Sequence, residues 1–287
     1  MAIAAGAPAC VVSVDHEGVI EREEKRFSAK DSPEIVLTTF DGAIEVRSWD
    51  RPEVLVQIEK RGQDKDIVAK IDVLAEQKNG RISVETRYSG RTSFVGFGVW
   101  QSPSAKLIAT VPRTANLQVR TADGNITVAK VTGRIDLRSE DGAIRVTETA
   151  GELIAETGDG SIQLEDVAGR IQARTDDGTV RLSGTPSVVR ARSGDGSMVL
   201  RIRSGAVMVD DWMIATNDGT VTLELPDGFN AEIEAEPASG SRVRNDLALA
   251  SVSGGTRETR TLKGTLGTGG KKLVLRSGDG TIRLTNY

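Results

Sequence analysis

The sequence contains little of what most catalytic and metal sites require. Among its 287 residues, Cys10 is the only cysteine and His16 is the only histidine. A disulfide within the chain is therefore excluded, and histidine-dependent triads, histidine-ligated zinc and acid–base catalysis by histidine are almost excluded. We expect no catalytic residues, no metal site and no cofactor, although chemistry that needs only carboxylates remains open.

Aromatic residues, excess charge and long apolar runs are scarce as well. The chain has three Trp, two Tyr and five Phe, and its 37 basic residues nearly balance 41 acidic ones, for a net charge of −4. This charge provides no electrostatic attraction to nucleic acid, and so few rings do not make a platform for base stacking. No apolar run approaches the ~20 residues of a membrane-spanning helix. We therefore predict no nucleic-acid partner and no transmembrane span.

Residues 117–200 contain one 18-residue unit repeated five times. Ser or Thr stands two residues before each central Asp, and apolar residues alternate with other residues on both sides. Each unit centres on an Asp-Gly pair, and the five pairs are Asp123-Gly124, Asp141-Gly142, Asp159-Gly160, Asp177-Gly178 and Asp195-Gly196. Alternation with a period of two around a turn signal predicts strand, turn and strand.

Two architectures fit this pattern, a meander of hairpins and a solenoid of stacked coils. Every position keeps its residue type at each return, which is typical of a stack in which each coil buries its apolar face against its neighbours. Parallel crossover connections are nearly always right-handed. The sequence therefore predicts an all-β fold, a single right-handed β-helix (β-solenoid) with coils of about 18 residues.

The Asp-Gly pairs are interpreted as structural turns. Gly supplies a positive φ, and Asp tolerates turn conformations and bonds its own backbone. A calcium ladder of stacked aspartates is the alternative, but calcium wants six to eight oxygen ligands and one Asp per turn supplies few. The Ser and Thr before each pair are expected to cap the turn through short bonds to the backbone.

Four arginines recur on one outward edge of the repeats, interrupted by a glutamate. They are Arg120, Arg138, Arg174 and Arg192, with Glu156 in the middle. A stripe of stacked arginines could bind an anion. The interpretation that we favour is a solvated face, because charge runs are usually surface and arginine stems cover apolar sheet.

We interpret residues 1–26 as an N-terminal tail and residues 27–287 as one β-solenoid domain. An Ala-Pro-Ala sequence directly before Cys10 resembles the end of a signal peptide and makes Cys10 a candidate lipidation site. The hypothesis is that the tail is the remnant of an export or lipoprotein signal that starts upstream of Met1. An N-terminus that is disordered or forms a strand is an equal alternative.

Two segments interrupt the repeats in the first third of the chain. Apolar residues at helical spacing predict a short helix near residues 66–76. Residues 88–103 predict a Gly-rich loop with four aromatic side chains, Tyr88, Phe94, Phe97 and Trp100. Loops on rigid scaffolds carry function and exposed rings make contacts, so these four are candidate binding residues. The alternative is that they cap the solenoid.

These features together resemble a bacterial family of adhesin-like proteins that carry a β-strand-repeat domain of unknown function. The resemblance rests on the opening repeat that ends Gly42-Ala43-Ile44-Glu45-Val46, on the serial T-x-D-G-x-I-x-V units, and on the closing repeat from Leu273 to Leu284. It covers most of residues 27–287. The resemblance implies a right-handed β-helix, often behind an export signal or membrane anchor, and supplies no catalytic residues.

Three functions follow from this reading. The first is a non-enzymatic, adhesin-like protein of the bacterial surface or envelope that binds a protein, a glycan or another surface, with export favoured over a cytoplasmic location. The second is a scaffold that self-associates through the exposed strand edges of the solenoid ends. The third, an enzyme acting on polysaccharides, needs a carboxylate pair about 5–9.5 Å apart, and the repeat singles out no such pair.

Overall fold

The computed structural model describes residues 11–15, 18–30, 32–90, 102–238, 241–253 and 258–287. In these ranges the chain is all-β apart from one helical turn, α1 (Lys65–Val68), which confirms the predicted class. The chain divides into two compact units, Met1–Gly133 and Arg134–Tyr287.

In the described ranges, the first unit consists mainly of β-strands. In order they are β1 (Val11–Asp15), β2 (Gly18–Ser28), β3 (Glu34–Thr39), β4 (Ile44–Trp49), β5 (Glu53–Gly62), β6 (Ile71–Lys78), β7 (Arg81–Tyr88), β8 (Ser104–Pro112), β9 (Asn116–Thr121) and β10 (Ile126–Ala129). The next strand, β11 (Thr132–Ser139), begins in the first unit and ends in the second.

The opening copy of the repeat, β3 and β4, lies between other strands of the first unit. Strand β3 pairs in parallel with β9 on one side and β7 on the other, and β4 pairs in parallel with β10 and β8. Antiparallel strands follow on the outside: β6 pairs with β7, β5 with β8, β2 with β5, and β1 with β2. The residues assigned to a tail from the sequence thus include positions 11–15 and 18–26 of these paired strands.

The predicted helix near residues 66–76 is wrong beyond its first turn. Helix α1 ends at Val68, and residues 71–78 form β6, which pairs with β7 through a tight hairpin. The hairpin turn is Asn79-Gly80, with φ of 51° and 82°. Asn-Gly with both φ values positive is the turn that matches the twist of two antiparallel strands, and this local signal outweighs the helical spacing of a few apolar residues.

The strands of the second unit include the most regular part of the chain. In order they are β12 (Ile144–Thr157), β13 (Ile162–Thr175), β14 (Val180–Ser193), β15 (Met198–Ile202), β16 (Trp212–Thr216), β17 (Val221–Leu225), β18 (Ala231–Pro237), β19 (Val243–Asn245), β20 (Leu249–Ser253), β21 (Glu258–Thr259), β22 (Leu262–Leu266), β23 (Lys272–Ser277) and β24 (Ile282–Asn286).

Successive repeats of the second unit pair in parallel with equivalent residues side by side. Ile144 pairs with Ile162 and Thr157 with Thr175, a separation of 18 residues at both ends of β12. Strand β14 continues this pairing on β13 with two small register shifts, and then pairs with both β15 and β16. The insertion after β15 lengthens the separation to 23 residues, as in the pair Arg190 and Met213.

The closing copy of the repeat is also placed between other strands. Strand β23 pairs in parallel with β16 and β18, and β24 pairs in parallel with β17 and β19. Antiparallel strands again complete the sheet, because β22 pairs with β18 and β20, and β21 pairs with β19. In both units the order of repeats in space therefore differs from their order in sequence.

A ladder of buried hydroxyl groups joins each repeat to the one before it. Thr175 accepts a hydrogen bond from the Gly178 N–H (3.0 Å) and donates to the carbonyl oxygen of Gly160 (2.9 Å). Corresponding donor bonds start from Thr121, Thr157, Ser193, Thr216 and Ser277. These six residues are at most 6% exposed. The expected turn cap is present, and each hydroxyl also bonds the neighbouring repeat.

The glycine of the Asp-Gly pair is required for a different reason from the one predicted. Gly124, Gly142, Gly160, Gly178 and Gly196 do not have a positive φ. A Cβ on Gly178 would instead lie 1.9 Å from the carbonyl oxygen of Gly160, and one on Gly196 would lie 1.9 Å from that of Gly178. Only a glycine allows successive backbones to approach so closely.

Positive φ values occur at the other bend of the repeat. Glu148 and Gly151 have φ of 51° and 120°, and Asp166 and Gly169 have φ of 56° and 101°. These bends interrupt neither β12 nor β13. Left-handed backbone is inexpensive for Gly, and the pairing of β12 with β13 resumes at Thr149 and Val167 directly after the bend.

We predict that Gly178→Ala destabilises the protein by about 3 kcal/mol or more, because the added methyl group meets backbone that cannot move without shifting a neighbouring repeat. Gly205→Ala is the matched control. Gly205 has a φ of 92°, and a Cβ added there would meet open space. Its replacement should therefore lower the free energy of unfolding only by the strain of a left-handed alanine, about 1–2 kcal/mol. Urea unfolding of both variants checks this, and equal losses would contradict it.

We predict that Thr175→Val lowers the free energy of unfolding by about 1–3 kcal/mol, since it leaves a buried N–H and a buried carbonyl without their hydroxyl partner. Thr175→Ser keeps the hydroxyl and should lose less. Thr222→Val on the outward side of β17 is the control and should stay within about 0.5 kcal/mol of the wild type. A Thr175→Val variant as stable as the Thr222→Val control would exclude a structural role for the ladder.

Candidate ligand-binding groove

The residues singled out by the sequence do not form a site among the described residues. The five Asp-Gly pairs lie in bends between strands. Tyr88 stacks on Phe40, with ring centroids 5.9 Å apart. The other three aromatic candidates, Phe94, Phe97 and Trp100, and the candidate lipidation site Cys10 lie outside the described residues.

The turn aspartates of the first unit repel one another. Burial raises the pKa of Asp41, and the neighbouring Asp123 carboxylate raises it further, against a hydrogen bond from the Gly42 backbone that lowers it. No group of three or more His, Cys, Asp or Glu residues in the described ranges is placed to hold a metal ion. The ionised carboxylate of Asp41 is therefore disfavoured in the folded protein.

The arginines of the outward edge differ in their partners. Arg138 donates to Asp136 at 2.9 Å and lies 3.6 Å from Glu156. The hydrogen bond to Asp136 raises the pKa of Arg138 above the usual value of an arginine. Arg174 contacts Asp176 at 3.3 Å. Arg138 belongs to a solvated, charge-paired face, where each ion pair contributes about 0–1 kcal/mol.

Arg192 belongs to a different environment, a groove of about 1020 Å³ on the outward face of the second unit. The groove crosses strands β13, β14, β16 and β23. Two rows of outward side chains line it: Gln172, Arg190, Met213 and Val274 in one row, and Arg174, Arg192, Ala215 and Arg276 in the next. We call this surface the arginine groove.

Charge is unevenly compensated in the arginine groove. Arg190 and Arg192 are exposed, and neither makes a hydrogen bond or ion pair with any described residue. Arg174 is paired with Asp176, and Arg276 lies 3.9 Å from Glu236. Arg174 and Arg192 are direct neighbours on parallel strands, about 4.8 Å apart in the sheet. Two stacked guanidinium groups repel each other, and a bound anion would relieve that repulsion.

An apolar strip lies beside the arginines. Met213 is 48% exposed on β16, and the half-buried Ala215 and Val274 flank it. An exposed methionine is adaptable and makes good contact with irregular ligands. The groove thus offers cationic forks next to a flexible apolar surface.

The insertion before β16 holds this surface in place. Trp212 is 1% exposed, donates its Nε1–H to the Ser187 carbonyl oxygen (3.1 Å), and packs against Phe229 with ring centroids 5.7 Å apart. Asp211 accepts a hydrogen bond from the Lys272 backbone N–H at 2.9 Å. The tryptophan and the aspartate fix where β16 resumes its pairing, and so place Met213 beside Arg190.

Sequence reasoning missed this groove for a specific reason. The recurring arginines were visible, but their neighbours were not, because Met213 follows an insertion and Arg276 comes from the closing repeat. The register pairs of β16 with β14 and of β23 with β16 bring them together. The sequence offered one indication of the groove. The positions in β13 and β14 that correspond to Glu156 hold Arg174 and Arg192, so two successive repeats lack the carboxylate there.

We predict that Asp41→Asn raises the melting temperature at pH 7. A folded-state pKa that is raised means that the ionised carboxylate is disfavoured in the fold, so its contribution to stability is favourable below the ordinary pKa of 3.8 and is lost as the pH rises through the folded pKa. The gain over the wild type should therefore shrink as the pH falls towards about 4. Asp123→Asn removes the repelling charge and should show a smaller gain of the same sign.

Thermal unfolding measured from acid to neutral pH checks this prediction. A difference between Asp41→Asn and the wild type that stays the same across the range would mean that the side-chain amide, and not the removal of charge, causes the gain.

Several solved bacterial structures are similar to this chain at low sequence identity. A putative adhesin from Bacteroides fragilis is 16% identical, with a TM-score of 0.45 over 92% of this chain and 96% of that chain. A putative lipid binding protein from Parabacteroides distasonis is 11% identical, with a TM-score of 0.42 over 92% and 96%. A putative cell adhesion protein from Clostridium sporogenes is 11% identical, with a TM-score of 0.32 over 93% and 100%.

No curated protein matches the chain. Within the described ranges, no helix has the length and apolar character that crossing a membrane would need. The Toastrack DUF4097 family model matches residues 33–285. Because this match spans almost the whole chain, the protein belongs to the Toastrack DUF4097 family.

Proposed function

We propose that this protein is a non-enzymatic, adhesin-like binding protein of the bacterial cell surface or envelope, and that the arginine groove is its binding surface. One observation carries the proposal: Arg190 and Arg192 project from the sheet without a partner among the described residues, next to the exposed Met213. The ligand is then a glycan or a protein with negative charge on the contacting face.

The scaffold that we propose for this surface is a right-handed β-helix with coils of about 18 residues. The separation of 18 residues between paired positions of β12 and β13 supports the coil length. The right hand follows from the general rule for parallel crossovers. A scaffold of this kind presents side chains of successive coils in straight rows, which suits an extended ligand.

Self-assembly through the ends is the less favoured function. In the second unit, β20, β21 and β22 are antiparallel additions to the parallel repeats. In the first unit, β6 and β1 are also antiparallel strands at the limits of the sheet. Antiparallel strands at the limits of a parallel stack act as caps and discourage further parallel addition.

An export route is part of the proposal. It is supported by the Ala-Pro-Ala sequence before Cys10, which resembles a signal-peptide end and a lipidation site. The aromatic residues Tyr88, Phe94, Phe97 and Trp100 remain a predicted second binding element. Protease treatment of intact source cells, followed by fractionation and detection with an antibody, tests the location. Loss of the protein is expected, and full protection with recovery from the cytoplasm would contradict export.

We predict that purified protein binds isolated envelope fragments of its source cells and that Arg190→Gln combined with Arg192→Gln weakens this binding at least about tenfold, since hydrogen bonds to charged groups each contribute more than neutral ones. Arg181→Gln combined with Arg283→Gln is the matched control. Both control arginines are exposed, and neither has a partner in the described chain, but they lie on β14 and β24 outside the groove.

The two double variants lose the same charge. Equal weakening by both would mean general electrostatic attraction, and no weakening by either would mean that the groove is not the binding surface. Each of these outcomes contradicts the proposal.

A further inference from the structure

The side chains of the arginine groove indicate the chemical class of its ligand, on the assumption that the proposed function is correct. We propose that the groove binds an acidic polysaccharide, whose carboxylates contact Arg190 and Arg192 while its sugar rings lie on Met213 and the neighbouring apolar strip. The arginines, the apolar strip and the acidic rim each support one part of this inference.

The arginines set the charge and the spacing of the ligand. A guanidinium group binds a carboxylate through two parallel hydrogen bonds, and arginine suits such planar anions better than lysine does. Arg190 and Arg192 are two residues apart on β14, or about 6.6 Å, and Arg174 lies about 4.8 Å from Arg192 on the next strand. A chain with anionic groups at intervals of about 5–7 Å can reach two of these forks together.

The apolar strip favours sugar rings over nucleic-acid bases as the bound group. Met213, Ala215 and Val274 offer a surface for the C–H faces of sugar rings. Single-stranded nucleic acids bind through bases stacked on exposed aromatic side chains. Among the described residues, the one aromatic side chain that lines the groove is Trp212, which is 1% exposed and packed against Phe229. The groove therefore lacks the stacking surface that a nucleic acid would use.

The acidic residues at the rim of the groove favour a polysaccharide over a polyanion with more closely spaced charges. Asp211, Asp218 and Glu236 border the groove. These carboxylates are acceptors only, so they attract the hydroxyl groups of a sugar and repel a closely charged chain such as polyphosphate. The combination of cationic forks and an acidic rim fits a ligand that has both carboxylates and hydroxyls, spaced apart along one chain.

Calorimetric titration of the full chain with polygalacturonate tests the inference. Methyl-esterified polygalacturonate, polyphosphate and single-stranded DNA serve as comparison ligands. We expect binding of polygalacturonate, at least about tenfold weaker binding of the other three, and a loss of at least about tenfold in the Arg190→Gln/Arg192→Gln variant. The Arg181→Gln/Arg283→Gln variant should change affinity less than about twofold.

Rim variants give an independent arm of the test. Asp218→Asn combined with Glu236→Gln should improve the binding of polyphosphate and leave that of polygalacturonate unchanged or weaker, because the repulsion is removed together with carboxylate oxygens that accept hydrogen bonds. Tighter binding of both ligands by this variant would mean that the rim does not select for a polysaccharide.

The outcomes separate this inference from the function on which it rests. Groove-dependent binding to envelope fragments without binding to polygalacturonate would overturn the ligand class and leave the binding function standing. Polyphosphate or DNA binding at least as tight as polygalacturonate, or equal affinity for the esterified polymer, would also overturn the ligand class. Failure of both assays would overturn both.

Discussion

The structure depends on one interaction, the bond from a buried Ser or Thr hydroxyl to the turn glycine of the preceding repeat. For example, the Thr175 hydroxyl accepts a hydrogen bond from the Gly178 N–H of its own turn and donates one to the Gly160 carbonyl oxygen. This contact needs backbones so close that a Cβ on Gly178 would overlap the same carbonyl oxygen. The hydroxyl and the glycine therefore constrain each other, and together they set which residues lie side by side.

Because the inward positions carry this constraint, the outward positions of the repeats are free to vary. Along β12 and β13 the outward side chains are mostly paired charges and amides, such as Arg145 with Gln163. On β14 the outward positions hold Arg190 and Arg192 without partners in the described chain. The insertion anchored by Trp212 then adds Met213 beside them. A binding surface can thus arise on a rigid scaffold without any change to the buried ladder.

The all-β class, the strands of the repeats and the turn-capping hydroxyls were predictable, since a period of two around Asp-Gly is a local signal. The reason for the glycines was not, because close approach between repeats has no local signature. The helix predicted near residues 66–76 extends over most of β6, because apolar residues at helical spacing say nothing of the Asn79-Gly80 turn that pairs β6 with β7. The pairing of β3 and β23 between other strands, and with it the neighbours of Arg192, depends on long excursions of the chain that no repeat spacing encodes.

The central claim concerns buried hydrogen bonds at turns, so amide hydrogen exchange followed by NMR tests it most directly. Exposed turn amides usually exchange quickly, whereas amides bonded in the core exchange only through large-scale opening. Our account predicts that the Gly178 and Gly196 amides are protected as strongly as the amides of β13 and β14, although they lie in bends. Exchange as fast as that of Gly80, in the hairpin turn at the edge of the first unit, would contradict it.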